Sequence, residues 1–202
     1  MTVTLESLRA RLSPEAPSLP LSPTRSDYDL NALTRPPGTR ALMPAAVLVP
    51  LVARKEPTVL LTERATHLPR HAGQVSFPGG RVHADDASLL ETALRETEEE
   101  TGIARGFITV AGYLDAYETG TGYAILPVVG LLEEGFALHP DANEVAEIFE
   151  VPLAFLLAPE SRQRHAREWE GRMRTYYVFD YDGHRIWGAT AAMLVDLGEK
   201  LR

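Results

Sequence analysis

Hydrophobic positions along this 202-residue chain change period several times, and each change marks an element. An opening stretch, residues 1–40, carries a short helical pattern at Leu5, Leu8 and Leu12 and then becomes rich in proline and serine. It reads as an arm outside the core, ending at Pro36-Pro37-Gly38. Residues 45–52 and 58–62 are nearly continuous apolar runs joined by the polar turn Arg54-Lys55-Glu56-Pro57, which predicts two buried strands in a hairpin. A short strand is expected over 73–77, then a Pro-Gly-Gly loop, then a helix over 87–101. Further strands are expected near 107–117, 123–132, 145–151 and 173–181. Val151-Pro152-Leu153 should open a short helix, and 188–201 reads as a closing amphipathic helix with Met193, Leu194 and Leu197 turned inward. No internal repeat is present. Strands and helices mixed in this order predict an α/β fold, a mixed β-sheet with helices on both faces, occupying residues 41–202 as one domain.

The helix over 87–101 carries the candidate chemistry. Ser88 followed by Glu91 has the form of a capping box, and Gly102 stands where a left-handed cap would stop the helix. At about 100° per residue, Leu90, Leu94, Thr97 and Thr101 share one side, while Glu96, Glu99 and Glu100 gather on the other. Crowding three carboxylates costs free energy even in water, and a bound cation removes that cost.

Composition narrows which cation. With no cysteine, the chain has no disulfide, thiolate ligand or cysteine nucleophile, so any metal must be held by oxygen or imidazole, which favours Mg2+ or Mn2+. A formal net charge of −8 argues against a protein that coats nucleic acid. No apolar run approaches the roughly 18 residues of a membrane span, and Met1-Thr2-Val3-Thr4-Leu5-Glu6 lacks the basic start and apolar core of a signal peptide. These features predict a soluble cytoplasmic protein with no membrane partner. Oligomeric state is not written in the pattern.

Phe77-Pro78-Gly79-Gly80 precedes the helix by one loop, and its glycines let backbone approach a metal or phosphate. Gly80 followed by Arg95-Glu96-Thr97-Glu98-Glu99-Glu100-Thr101-Gly102-Ile103 closely resembles the Nudix box. Two departures are visible. Thr97 stands at a usually apolar position, and the loop is one residue longer, so that Asp86 or Ala87 meets the family's first Glu depending on the direction of counting. An early carboxylate therefore has no assigned role, although Asp85 and Asp86 stand in the loop. Because the box is one residue longer, Asp86→Ala is expected to be tolerated within about tenfold in turnover.

The resemblance implies an α/β/α sandwich around a mixed sheet, with Glu96, Glu100 and then Glu99 as metal ligands and catalytic residues. Gly80 joins them in the metal site, and Arg95 orients a glutamate through an ion pair. Upstream, Leu60-Leu61-Thr62-Glu63-Arg64-Ala65, then Arg70, Gly73 and the Phe-Pro-Gly-Gly run, resembles the coenzyme A pyrophosphatase branch of the Nudix hydrolases. That branch's pattern has an arginine where this chain has Pro69, with Arg70 one step later. The longer loop and the late Ile186-Trp187-Gly188-Ala189-Thr190-Ala191 are similar to the same branch.

Independently of the name, Arg64, His67, Arg70, His71, Arg81 and His83 place six basic or potentially basic groups within twenty residues of an acidic chain. Such a cluster suits phosphates, and Arg64, Arg70, His71 and Arg81 are the candidate substrate-binding residues. His165, Trp169, His184 and Trp187 read as packing or surface residues, and Glu118, Glu144 and Glu147 as possible extra ligands or bases. The expected reaction is metal-assisted attack of water on a small-molecule diphosphate, with coenzyme A or a derivative as substrate. The alternatives are an ADP-ribose or dinucleotide pyrophosphatase, or a Nudix-fold binding module without catalysis.

Overall fold

The computed structural model describes residues 4–36, 38, 40–169 and 171–202, and the side chains of these apart from that of Trp169. Met1-Thr2-Val3, Pro37 and the Trp169 side chain, all used in the sequence analysis, lie outside the described residues. In chain order the elements are α1 (Leu5–Arg9), β1 (Arg25–Ser26), β2 (Met43–Val52), β3 (Thr58–Arg64), β4 (Val75–Ser76), β5 (Gly79–Arg81) and α2 (Leu89–Thr101). There follow β6 (Ile108–Tyr113), β7 (Tyr117–Glu118), β8 (Tyr123–Leu132), β9 (Val145–Pro152), α3 (Leu153–Leu157), β10 (Gln163–Trp169), β11 (Arg172–Tyr181), β12 (His184–Trp187) and α4 (Gly188–Lys200). Among the described residues, β1 to β9 form one mixed sheet and β10, β11 and β12 a smaller antiparallel one.

Strand β2 organises the larger sheet. One edge pairs in parallel with β8 along its whole length, from Met43 opposite Tyr123 to Val52 opposite Leu132. The other edge is shared: Ala45, Ala46 and Val47 pair with β5, whereas Leu51 and Val52 pair with β3. The expected hairpin therefore exists but closes over two residue pairs only, because β3 diverges to pair with β9 on its far side. Between the two partners, Leu48 N–H donates to Pro78 O at 2.9 Å. This split brings the Pro-Gly-Gly loop into the middle of the sheet.

Alternation along the strands builds an α/β/α sandwich, since successive strand residues face opposite ways. Ala46, Leu48, Leu60, Leu126 and Val128 pack toward α2, in contact with Leu89 and Ala93. Val49, Leu51, Val59, Leu61 and Val129 pack the other way, toward Leu194 and Leu197 of α4, Leu153 of α3 and Leu8 of α1.

Three expectations need correction. The segment read as an arm outside the core is packed into the domain: Leu8 and Leu12, one helical turn apart, are buried against the α4 face, and Leu21 and Tyr28 are buried further along. The run expected as one strand over 107–117 is broken into β6 and β7, with a register shift between Val110 and Gly112. Strands β10 and β12 had no expected counterpart, because polar and charged residues interrupt their pattern.

Candidate active site

Helix α2 is fixed at both ends. Ser88 Oγ accepts the Glu91 N–H at 3.2 Å, and Gly102 takes a left-handed conformation with φ of 75°, its N–H donating to Glu98 O. Buried positions on α2 are Leu89, Thr92, Ala93, Thr97, Glu100 and Thr101, with Leu90 and Leu94 only partly buried. Glu100 thus belongs to the inner face of the helix, a correction to the even division into apolar and acidic sides. Glu96 lies at its border and Glu99 points outward, with 60% of its side chain exposed.

The glutamates meet the sheet at the split beside β5. Gly79 N–H donates to Glu100 Oε2 at 3.1 Å, and the Glu96 carboxylate lies directly over Gly80. A Cβ at position 80 would stand 2.5 Å from Glu96 Cδ and 2.6 Å from each carboxylate oxygen, so only glycine lets strand and carboxylate approach this closely. Behind them, Arg95 is a four-way clamp. Its Nε and Nη2 take both oxygens of Asp86 at 2.8 and 3.0 Å, and its Nη1 reaches Glu96 and Glu99, each at 2.9 Å.

Electrostatics follow from this burial. Glu100 is 4% exposed, and burial pushes its carboxyl up to about 8, the nearby Glu96 and Glu144 adding to the effect while the Gly79 N–H and Arg64 oppose it. Burial also raises Glu96, against the pull of Arg95. Asp86 goes the other way, held well below the usual carboxylate range by the Arg95 guanidinium. Two carboxylates pressed together against backbone, with no imidazole or sulfur among them, suit a hard divalent cation coordinated by oxygen. Glu144, exposed on the loop before β9, is the carboxylate outside the helix whose field reaches both.

A cavity of about 800 Å³ opens on the α4 side of the sheet. It meets the glutamates through two of its lining residues, Gly79 and Arg64, the latter with Nη1 3.9 Å from Glu100 Oε1. Its other walls come from the segment around Tyr28, from β11 and from the start of α4. The carboxylates on these walls have partners: Asp27 accepts from Gly120 N–H and Tyr117 Oη, Asp29 from Ser26, and Asp196 and Glu199 from Arg25.

Of the sequence-derived binding residues, Arg64 and His71 line this cavity, and His71 Nδ1 lies 2.9 Å from Gln74 Oε1. Arg81 lies beside it, its Nε and Nη2 donating to Tyr123 Oη at 2.9 and 2.5 Å. Arg70 is exposed and off the wall. Of the possible extra ligands, Glu118 pairs with Arg35 instead. Glu147 joins Glu63 and His184 in a cluster whose ligand atoms all lie within 4.8 Å of one another. The two imidazole nitrogens there serve different carboxylates, Nδ1 at 3.2 Å from Glu63 and Nε2 at 3.7 Å from Glu147, and the ring stacks on Phe149. That geometry makes His184 a bridge tying β12 to β3 and β9.

Tyr28, Arg40, Arg167 and Arg174, which nothing in the sequence pattern singled out as binding residues, also line the cavity. The one signal for Arg174 was the repeat Arg172-Met173-Arg174, which puts both arginines on one face of a strand.

A match to one family model agrees with this architecture. The family model of the NUDIX domain matches residues 42–170. A relative from Photorhabdus laumondii, described as an uncharacterized Nudix hydrolase, NudL, is 42% identical over 158 residues, covering 78% of this chain and 84% of its own. A NudL of the same description from Yersinia enterocolitica is 41% identical over 157 residues, covering 78% and 80%. Among solved structures, a C. elegans Ap4A hydrolase in a binary complex superimposes with a TM-score of 0.45 and 20% identity, over 55% of this chain and 80% of that one.

Proposed function

This chain belongs to the Nudix family of pyrophosphohydrolases, and we propose that its substrate is coenzyme A or a derivative, split at the diphosphate to 3′,5′-ADP and (acyl-)4′-phosphopantetheine. The observation that carries the proposal is the cavity of about 800 Å³, which reaches the buried Glu100 through Gly79 and Arg64. Its size is at the upper end for small-molecule sites, as a long nucleotide requires. The run from Leu60 to Gly80 that resembles the coenzyme A branch supplies this same junction: β3 ends on Arg64, and Gly79 and Gly80 open β5.

Glu96 and Glu100, with Glu99 from the exposed rim and the Gly80 backbone beside Glu96, are the residues that would hold Mg2+ or Mn2+. When bound, such an ion polarises phosphoryl oxygens, offsets their charge and lowers the pKa of a bound water. The protein's own contribution is positional. Arg95 holds Glu96 and Glu99 in place from behind. Arg64, on the cavity wall, offers its guanidinium to the diphosphate oxygens. Gly79 N–H keeps the Glu100 carboxylate turned toward the loop. Water attack on one phosphorus, with departure of the other phosphate, then needs no covalent enzyme intermediate.

The test is a panel of coenzyme A, its acylated and oxidised forms, ADP-ribose and NADH, each incubated with Mg2+ or Mn2+ and followed by chromatography. Coenzyme A or a derivative should show the highest kcat/KM, and Glu96→Gln and Glu100→Gln should each lower turnover by about 10² to 10⁴. Preferred cleavage of ADP-ribose or NADH would remove the coenzyme A assignment and leave the family untouched. No hydrolysis, with tight metal-independent binding of one compound, would indicate a binding module.

A further inference from the structure

Two buried side-chain polar atoms lack a hydrogen-bond partner among the described residues, and both are guanidinium nitrogens: Arg64 Nε and Arg174 Nε. Both arginines line the same cavity. A buried donor left unpaired costs the full desolvation of that group, so an orphan on each of two arginines that line one cavity points to an acceptor that the protein itself does not supply. Arg64 stands beside Glu100, where the diphosphate is placed. Arg174 belongs to a different wall, on β11, next to Tyr28, whose ring lies 6.0 Å from its guanidinium carbon, and to Gly120.

The strand ladder adds an independent observation. Arg174 is directly opposite Arg167 in the β10–β11 pair, and both line the cavity. Directly opposite residues of an antiparallel pair present their side chains on one face with Cβ atoms about 5 Å apart, close enough for two guanidinium groups to reach one ligand. Arg167 lies over the Trp187 ring, 5.1 Å from its centroid. Asp27, which like Arg174 lies against Gly120, is engaged by Gly120 N–H and Tyr117 Oη.

We propose that Arg174, with Arg167 across the ladder, forms a second anion subsite in the cavity, which takes a phosphomonoester carried by the substrate away from its diphosphate. On the coenzyme A reading, upon which this inference rests, that group is the 3′-phosphate. The forked guanidinium suits a dianionic phosphate bidentately, and Tyr28 supplies a flat apolar surface beside it. Arg174 is a specificity residue in this scheme and touches no reacting atom.

Binding without turnover tests this separately from the reaction. Metal-free calorimetry with 3′,5′-ADP and with 5′-AMP should show the wild type favouring 3′,5′-ADP by about tenfold to a hundredfold. Arg174→Gln should bring that ratio close to one, and Arg174→Lys should retain part of it, so the lysine variant decides the matter if the glutamine variant does not fold. With coenzyme A and dephospho-coenzyme A as substrates, the ratio of their kcat/KM values should fall in parallel. No preference in the wild type, an unchanged ratio in both variants, or equal loss of both nucleotides would each overturn the subsite. Because the calorimetric ratio involves no hydrolysis, a failed subsite with intact coenzyme A cleavage, and a failed substrate assignment with an intact ratio, give different results.

Discussion

Glu100 is held in a place where its charge is unfavourable, and the consequence is measurable without metal or substrate. Its folded-state carboxyl is raised to about 8 by burial, against roughly 4.3 in an unfolded chain. Below pH 4 both states are protonated and the residue costs nothing. As pH rises from there toward 8, the unfolded chain ionises while the folded one does not, so stability is lost, by on the order of a few kcal/mol once the pH exceeds 8. Glu100→Gln, which keeps an acceptor for the Gly79 N–H, should therefore raise the Tm of the metal-free protein at pH 8 to 9, by roughly 2–4 °C for each kcal/mol, and much less at pH 5. A shift independent of pH would show that ionisation of Glu100 is not what burial opposes. The spacing of Glu96, Glu99 and Glu100 was legible in the sequence because one helix carries them all. The burial of Glu100 was not, since it depends on how closely β5 packs, and the pair Gly79-Gly80 was the hint of that in the sequence.

At the scale of elements, the loop before α2 turns out to be part of the helix's electrostatics. Asp86 receives both sides of the Arg95 fork, the Thr92 hydroxyl at 2.8 Å and the His83 N–H at 2.9 Å. The sequence could not rank this residue, because the extra loop residue left the register with the box ambiguous; the ranking comes from the loop's fold, which returns Asp86 to the side of α2 one turn before Glu99. Removing its charge frees Arg95, and Arg95 holds Glu96 and Glu99. Asp86→Asn should then lower kcat by about tenfold to a hundredfold with little change in KM, more than the tolerance expected from sequence alone. Because Asp86 is depressed by its partner, the stability it contributes is complete above the unfolded carboxylate value near 4 and fades as pH falls through its lower folded value. The Tm difference between wild type and Asp86→Asn should accordingly be constant from pH 7 to about 5 and shrink below about 4. Thermal melts across that range check the sign, and a gap that widens in acid would rule out the ion pair as its source.

Across the whole molecule, the N-terminal segment couples the core to the far wall of the cavity, which is the part of the architecture least legible in the sequence. Its few apolar residues are widely spaced among prolines and serines, and their partners lie on strands and helices distant in sequence, so no local pattern could announce the packing. Leu8 is buried against the α4 face, Ser13 bridges to Tyr113, and Asn31 closes the segment onto β11. Asn31 Oδ1 accepts the Thr175 N–H at 2.7 Å while its Nδ2 donates to Thr175 O, also at 2.7 Å, and Thr175 is the neighbour of Arg174. Two substitutions in this segment should therefore separate stability from specificity. Leu8→Ala removes buried core volume without touching the Asn31–Thr175 hydrogen bonds and should cost about 2–5 kcal/mol by denaturant titration, leaving the preference for 3′,5′-ADP over 5′-AMP unchanged. Asn31→Ala strands two backbone groups of Thr175 and should cost less, about 1–3 kcal/mol, yet lower that preference, because the strand that aims Arg174 is no longer held from outside. If both variants lose the preference in proportion to their loss of stability, the segment acts only as packing. If Asn31→Ala alone loses it, the segment positions the wall that reads the substrate's second phosphate.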